Sequence, residues 1–216
     1  MASSIVHLAV TNELTKRLSF TDTNRLKFGA VIVDGGVGGN INGNAHLKVN
    51  VLDGKKKTYD FDKFRELFGE RMLKDDLYMG YYLHLVQDSL YRHFVYDKYH
   101  WNPTIPGNTD RLHKDYSIVN QYIIRQYGLK NDLVVPEGFD HEDLTQISAF
   151  DVDHFMKDME RFFQPVEEEE IFFFTKEMSD DYIAEAVEYC VNEVEKLRRG
   201  EPGIDMLEFA WTRAGL

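Results

Sequence analysis

The chain has 216 residues, 43% of them apolar and 13% aromatic, enough to bury one sizeable core. Its formal net charge of −12 is offset by no basic stripe, which argues against a nucleic-acid backbone as the main partner. The one cysteine, Cys190, excludes an internal disulfide, and no run approaches the length of a membrane-spanning helix.

Met1 to His7 has neither a basic region nor a long apolar stretch, so the reading is a cytoplasmic protein without a targeting segment. Ser3 or Ser4 is placed to cap a first helix running to about Leu18, with Val6, Val10, Leu14 and Leu18 at helical spacing and His7 beside that stripe. Asn24 to Asp34 is a short apolar stretch that ends on an aspartate. Gly35 to Gly43 reads as a flexible glycine-rich loop. It lacks the lysine of a phosphate-binding loop and a βαβ setting, so nucleotide binding there is rejected. His46 to Val51 reads as extended, and Gly54 to Lys57 as a turn.

Asp60 begins a helix with Phe61, Phe64, Phe68 and Met72 along one side, and Asp75 or Asp76 begins the next, running to about Tyr99. That second helix carries the most informative stretch, Tyr78 to Tyr91. His84 and Asp88 lie four residues apart, on one face, at a spacing that one metal ion can bridge. Tyr81, His84, Asp88 and Tyr91 form a polar stripe among apolar neighbours. A carboxylate buried there needs a partner or a metal; a hydrogen-bonded His–Asp pair in a core is the plainer alternative. Pro103 and Pro106 break the helical pattern. Asn108 or Thr109 then caps a helix to Gly128, which carries Leu112, Tyr116, Val119 and Ile123 on one face and His113, Ser117 and Asn120 on the other. Asn131 to Asp143 is a connection. Phe150 to Phe163 is helical, Ser179 caps a long helix from Asp180 to Arg199, and Ile204 to Trp211 forms a short last helix. His154 and Asp158 repeat the four-residue spacing on charged flanks and read as a surface pair. The whole is an all-α, single-domain fold over residues 1–216.

The order His7, Asp34, His46, then His84-x-x-x-Asp88 resembles the zinc-dependent phospholipase C family, whose fold is related to that of P1-type nucleases. Phe28-Gly-Ala-Val-Ile-Val-Asp34, Asn44-Ala-His46 and Gly80-Tyr-Tyr-Leu-His84-Leu-Val-Gln-Asp88 carry the resemblance, which covers about the first half of the chain. It implies a helical cleft holding one to three zinc ions, with Asp34, His46, His84 and Asp88 on the first. His7 and a bridging Asp88 would belong to another ion, together with the amine of Ala2 once Met1 is removed. The ligand types also suit manganese or iron. The family's remaining site uses a histidine after the central helix and then an H-x-x-x-acid pair. Here the chain departs: His93 lies nine residues from His84, and His113 is followed by Ser117 where an acid is expected, with Asp110 as a substitute.

The resulting expectation is a metal-dependent phosphoric ester hydrolase acting through metal-activated water on a phosphomonoester, a phosphodiester or a phospholipid head group. Asp34 serves as ligand and general base, and Tyr81 and Tyr91 steady substrate oxygens. The competing reading is a non-catalytic, metal-stabilised binding or regulatory protein that keeps one site. A helical phosphohydrolase built on an adjacent His-Asp dipeptide ranks low, because the chain has no such dipeptide.

Overall fold

The computed structural model of the protein describes residues 2–37, 45–167 and 169–212. Seven α-helices appear in the order α1 (Ser4–Arg17), α2 (Thr23–Ile32), α3 (Phe61–Met72), α4 (Asp76–Arg92), α5 (Asn108–Gln126), α6 (Val152–Phe162) and α7 (Lys176–Arg198). Between α2 and α3 a hairpin of β1 (Lys48–Val51) and β2 (Lys56–Tyr59) forms, and β3 (Trp211–Thr212) adds to its far edge. The fold is therefore mainly α with a small antiparallel sheet. Lys48 pairs with Tyr59 in the hairpin, and Lys57 with Trp211 across the second pair.

Several helix starts follow from capping chemistry. Ser3, Asp22, Asp60 and Asp75 each accept a backbone N–H of the first turn, of α1, α2, α3 and α4 respectively. Other boundaries differ from the expectation. The apolar stretch ending at Asp34 is helix α2, followed by one 3₁₀ turn over Val33–Gly35. Helix α7 starts earlier, on a Thr175 cap, and α5 follows Gly107 in the left-handed region (φ 82°) rather than a side-chain cap. The expected last helix is absent among the described residues: the segment before Trp211 is turn, and Trp211 enters the sheet. Much of the expected glycine-rich loop, residues 38–44, lies outside the described residues. No helix among the described residues is long and apolar enough to cross a membrane.

Helix α4 runs through the middle of the molecule, buried on all sides from Leu77 to Ser89. It packs against α2, α3 and α7, while α1 joins α2, α5 and α7. The α2–α4 crossing is close because two glycines meet it. A Cβ on Gly80 would stand 2.1 Å from the Leu26 carbonyl oxygen, and one on Gly29 the same distance from that of Leu77. Such contacts cannot be absorbed by a side-chain rotation, because the obstacle is backbone. Gly80→Ala is expected to destabilise the fold by at least about 1–3 kcal/mol. Gly69→Ala on α3 meets nothing within 4 Å and should leave stability unchanged or slightly raised. Thermal melts of the two variants check the contrast; equal melts would mean that the helices can separate at no cost.

Candidate metal centre

The α2–α4 approach places the Ala30 carbonyl 2.8 Å from His84 Nδ1. A carbonyl oxygen only accepts, so Nδ1 carries the proton and the Nε2 lone pair is left for the opposite side of the ring. His7, on α1, has its Nδ1 2.9 Å from Gln87 Oε1. Both rings are fully buried, and they stack at 3.9 Å between centroids. Neither Nε2 has a hydrogen-bond partner. At His84 this leaves a buried nitrogen lone pair without a donor, which is costly, and such an orientation is what a histidine metal ligand requires.

Two carboxylates face these nitrogens. Asp88 is fully buried one turn along α4 from His84. Its Oδ1 accepts from the Ala2 backbone N–H at 3.0 Å and lies 3.5 Å from His7 Nε2. Its Oδ2 accepts from the Tyr59 hydroxyl at 3.0 Å and lies 3.9 Å from His84 Nε2 and 3.7 Å from His46 Nε2. Asp34, in the 3₁₀ turn after α2, has Oδ1 3.5 Å from His46 Nε2 and 3.9 Å from His84 Nε2, while Oδ2 accepts from the Ser4 hydroxyl at 2.7 Å. The expected set of His7, Asp34, His46, His84 and Asp88 is thus brought together from α1, the turn after α2, the approach to β1, and α4.

The spacing itself discriminates between readings. Zinc–nitrogen and zinc–oxygen bonds of about 2.0–2.1 Å put tetrahedral ligand atoms roughly 3.3–3.4 Å apart. The four separations of Asp34 and Asp88 from His46 and His84 are 3.5, 3.7, 3.9 and 3.9 Å. They are too long for N–H···O hydrogen bonds and a few tenths of an ångström wider than the edges of a zinc tetrahedron. Two overlapping trios have ligand atoms within 4.8 Å of one another: His7, Asp34, His84 and His46, His84, Asp88. Because His84 Nε2 has a single lone pair, it can serve only one ion at a time.

The surroundings favour a neutral His84 and ionised carboxylates. Burial, together with the neighbouring His7, lowers His84 to about 3, so its ring is neutral in the physiological range. Burial alone would raise both carboxyls. The His46 contact and the surrounding imidazoles outweigh it at Asp34, lowering it to about 2, and His7 and its neighbours hold Asp88 well below the ordinary carboxylate range. At His7 burial opposes the charged form, but Asp88 outweighs it and the group is raised.

An outer ring of side chains fixes these groups. Tyr59, in β2, donates to Asp88 and accepts from Arg92 Nε at 2.9 Å, and the Arg92 guanidinium sits 4.4 Å from the Trp211 ring. The hairpin and its third strand therefore brace the far side of the cluster. Gln87, Tyr59, Ser4 and Arg92 were missed in the sequence. Gln87 was findable as the i+3 neighbour of His84 on the same stripe; Tyr59 carried no local signal, because only tertiary packing brings it to Asp88.

Three expected site residues fall elsewhere. Tyr81 and Tyr91 are fully buried, and their hydroxyls are committed to the Ala45 carbonyl and to the Tyr116 hydroxyl. They pack the core, in a helix buried on all sides from Leu77 to Ser89. His113 is exposed on α5 and belongs to neither ligand trio. Ser117 turns its hydroxyl back to the Lys114 carbonyl at 2.7 Å, Asp110 is exposed, and His93 pairs with Asp97 on the surface. His154 and Asp158 form the expected exposed pair.

One cleft opens on the cluster. It has a volume of 370 Å³, with Ala2, Ser3, Ser4 and Asp34 on one wall. The other wall comes from α5, through His113, Tyr116, Ser117 and Asn120, and from Phe162 at the end of α6. Of the two clustered carboxylates only Asp34 lines it. Comparison with family models, with curated proteins and with solved structures gives no match.

Proposed function

We propose that the chain is a metal-dependent hydrolase of a phosphate ester, with Asp34, His46, His84 and Asp88 holding one divalent ion and His7 with Asp88 placed for a second. The observation that carries this reading is the buried His84 Nε2 lone pair, which has no hydrogen-bond partner and stands 3.9 Å from each of two ionised carboxylates, with His7 Nε2 beside it 3.5 Å from Asp88. Nitrogen and carboxylate oxygen together suit zinc, with manganese or iron as alternatives. When bound, such an ion supplies Lewis acidity, lowering the pKa of a water and offsetting charge on phosphoryl oxygens.

The chain's own residues divide the remaining work. Asp88 anchors the set, held from outside by Tyr59 and by the Ala2 N–H. Asp34 lies between the cluster and the cleft and is ionised, so it can accept a proton from a water approaching from the cleft side. Ser4 donates to its outer oxygen and fixes the orientation in which it would do so. The acidic surface and the absence of lysine or arginine among the described residues lining the cleft favour a small phosphate ester over a polyanion.

A second reading has its own observation. Helix α5 offers His113 on an exposed rim with Ser117 where the resemblance expects an acid, which favours a protein that keeps one stabilising ion and does no chemistry. Elemental analysis of purified protein, followed by turnover of 4-nitrophenyl phosphate and its bis ester, separates the two. Two ions per chain with turnover are expected. One ion without turnover would favour the binding protein, and no ion in metal-supplemented protein would end both readings.

A further inference from the structure

The cleft wall on α5 has a feature that the metal cluster does not use. Asn120 is 2% exposed, yet it lines the cleft. Its Oδ1 accepts from the Ser3 hydroxyl at 2.6 Å. Ser3 is the α1 N-cap, and while its oxygen accepts from the Val6 N–H its hydroxyl proton points to Asn120 Oδ1. The end left over is the –NH₂ donor, and no protein group accepts from it among the described residues. A neutral donor on a buried side chain thus lines the same cleft as Asp34.

We propose that Asn120 Nδ2 is a substrate-recognition donor, hydrogen-bonding an oxygen of a single phosphate group, and that Tyr116 and Phe162 receive the alcohol part of the ester. This rests on the metal-centre reading above, since the phosphate otherwise meets the Asp34 carboxylate uncompensated. The substrate class follows from the lining. No described lysine or arginine is available for a second phosphate, so nucleoside di- and triphosphates and polynucleotides are disfavoured. The volume of 370 Å³ is near the small end of ligand sites, which run from roughly 300 to 1,000 Å³, and two aromatic rings favour a compact, flat or apolar alcohol.

The test uses zinc-loaded protein, with inorganic phosphate and phenyl phosphate as probes in titration calorimetry and metal content measured alongside. Asn120→Ala should weaken phosphate binding on the order of 10-fold or more, as expected for a hydrogen bond to a charged group. Asn120→Asp keeps the shape and the acceptor for Ser3 but sets a like charge against the phosphate, and should weaken it further. Neither should change metal content. Phenyl phosphate should bind more tightly than phosphate, and Phe162→Ala should remove that gain. If both Asn120 variants keep their metal and bind phosphate like the parent chain, the recognition role is wrong while the metal centre stands. If the parent chain binds no metal, both fall together.

Discussion

Asp88→Ala is expected to lower metal affinity by more than about 100-fold and to abolish phosphoesterase turnover, the largest effect of any single change. Replacing an outer-ring partner typically costs 10–100-fold, and Asp88 is an inner group. It lies within 4 Å of all three imidazoles, His7 at 3.5 Å, His46 at 3.7 Å and His84 at 3.9 Å, and it also accepts from Ala2 and Tyr59. No neighbour can take its place, since it is fixed one turn from His84 on a helix buried throughout. Truncation also leaves the Tyr59 hydroxyl without its acceptor, so loss of fold must be separated from loss of ligand. Asp88→Asn does this: it keeps the shape and one accepting oxygen while removing the charge, and should hold the fold better than alanine yet still lose metal. His113→Ala, on an exposed rim outside both ligand trios, should keep its metal. Were Asp88→Ala and Asp88→Asn to retain metal and rate while His113→Ala lost them, the chemistry would lie on α5.

The contrast between these residues also shows how far the sequence could be read. His84 and Asp88 were legible because a helix turns a four-residue spacing into a shared face, whatever surrounds it. The order of His7, Asp34 and His46 was legible only through resemblance, since no local period joins an α1 histidine to a turn after α2. Tyr81 and Tyr91 were misplaced for a physical reason: periodicity says which side chains share a face, not whether that face meets water, and α4 is enclosed. The hairpin was half read. Lys48-Val-Asn-Val and Lys56-Lys-Thr-Tyr are polar and short, and the strand that completes their sheet, with Trp211, comes from the far end of the chain. The expected short last helix from Ile204 to Trp211 does not form, because Trp211 joins the sheet. The glycine pair at the α2–α4 crossing was visible as glycines but not as a contact, because nothing local links Gly29 to Gly80.

Removing metal should lower stability, and acid should deepen the loss in a defined window. An ion that binds only the folded chain adds about 2.7 kcal/mol when free metal stands at 100 times Kd. For a chain of this length that corresponds to roughly 5–11 °C in Tm, at about 2–4 °C per kcal/mol. Chelation should therefore lower the melt by that order, and zinc or manganese should restore it. In the metal-free protein His84 is lowered to about 3 by burial and by His7, whereas the unfolded chain takes up that proton near 6.5. Between those values the unfolded state holds more protons, so stability rises with pH, by at most about 1.4 kcal/mol per unit. His7, raised, is protonated in both states over most of that window and adds little slope. Asp34, held to about 2 against an unfolded value of 3.8, adds a further loss only below about pH 4. Metal-free protein should thus weaken progressively from about pH 6.5 downwards, and the gain from an ion held by His7 should shrink over the same range, because that ion must displace the His7 proton. Melts with and without chelator from pH 4 to 8, with metal content measured, check both. A chelated, metal-free sample that melts like the loaded one at pH 7.5 would reduce the cluster to an ordinary polar core and withdraw the hydrolase with it.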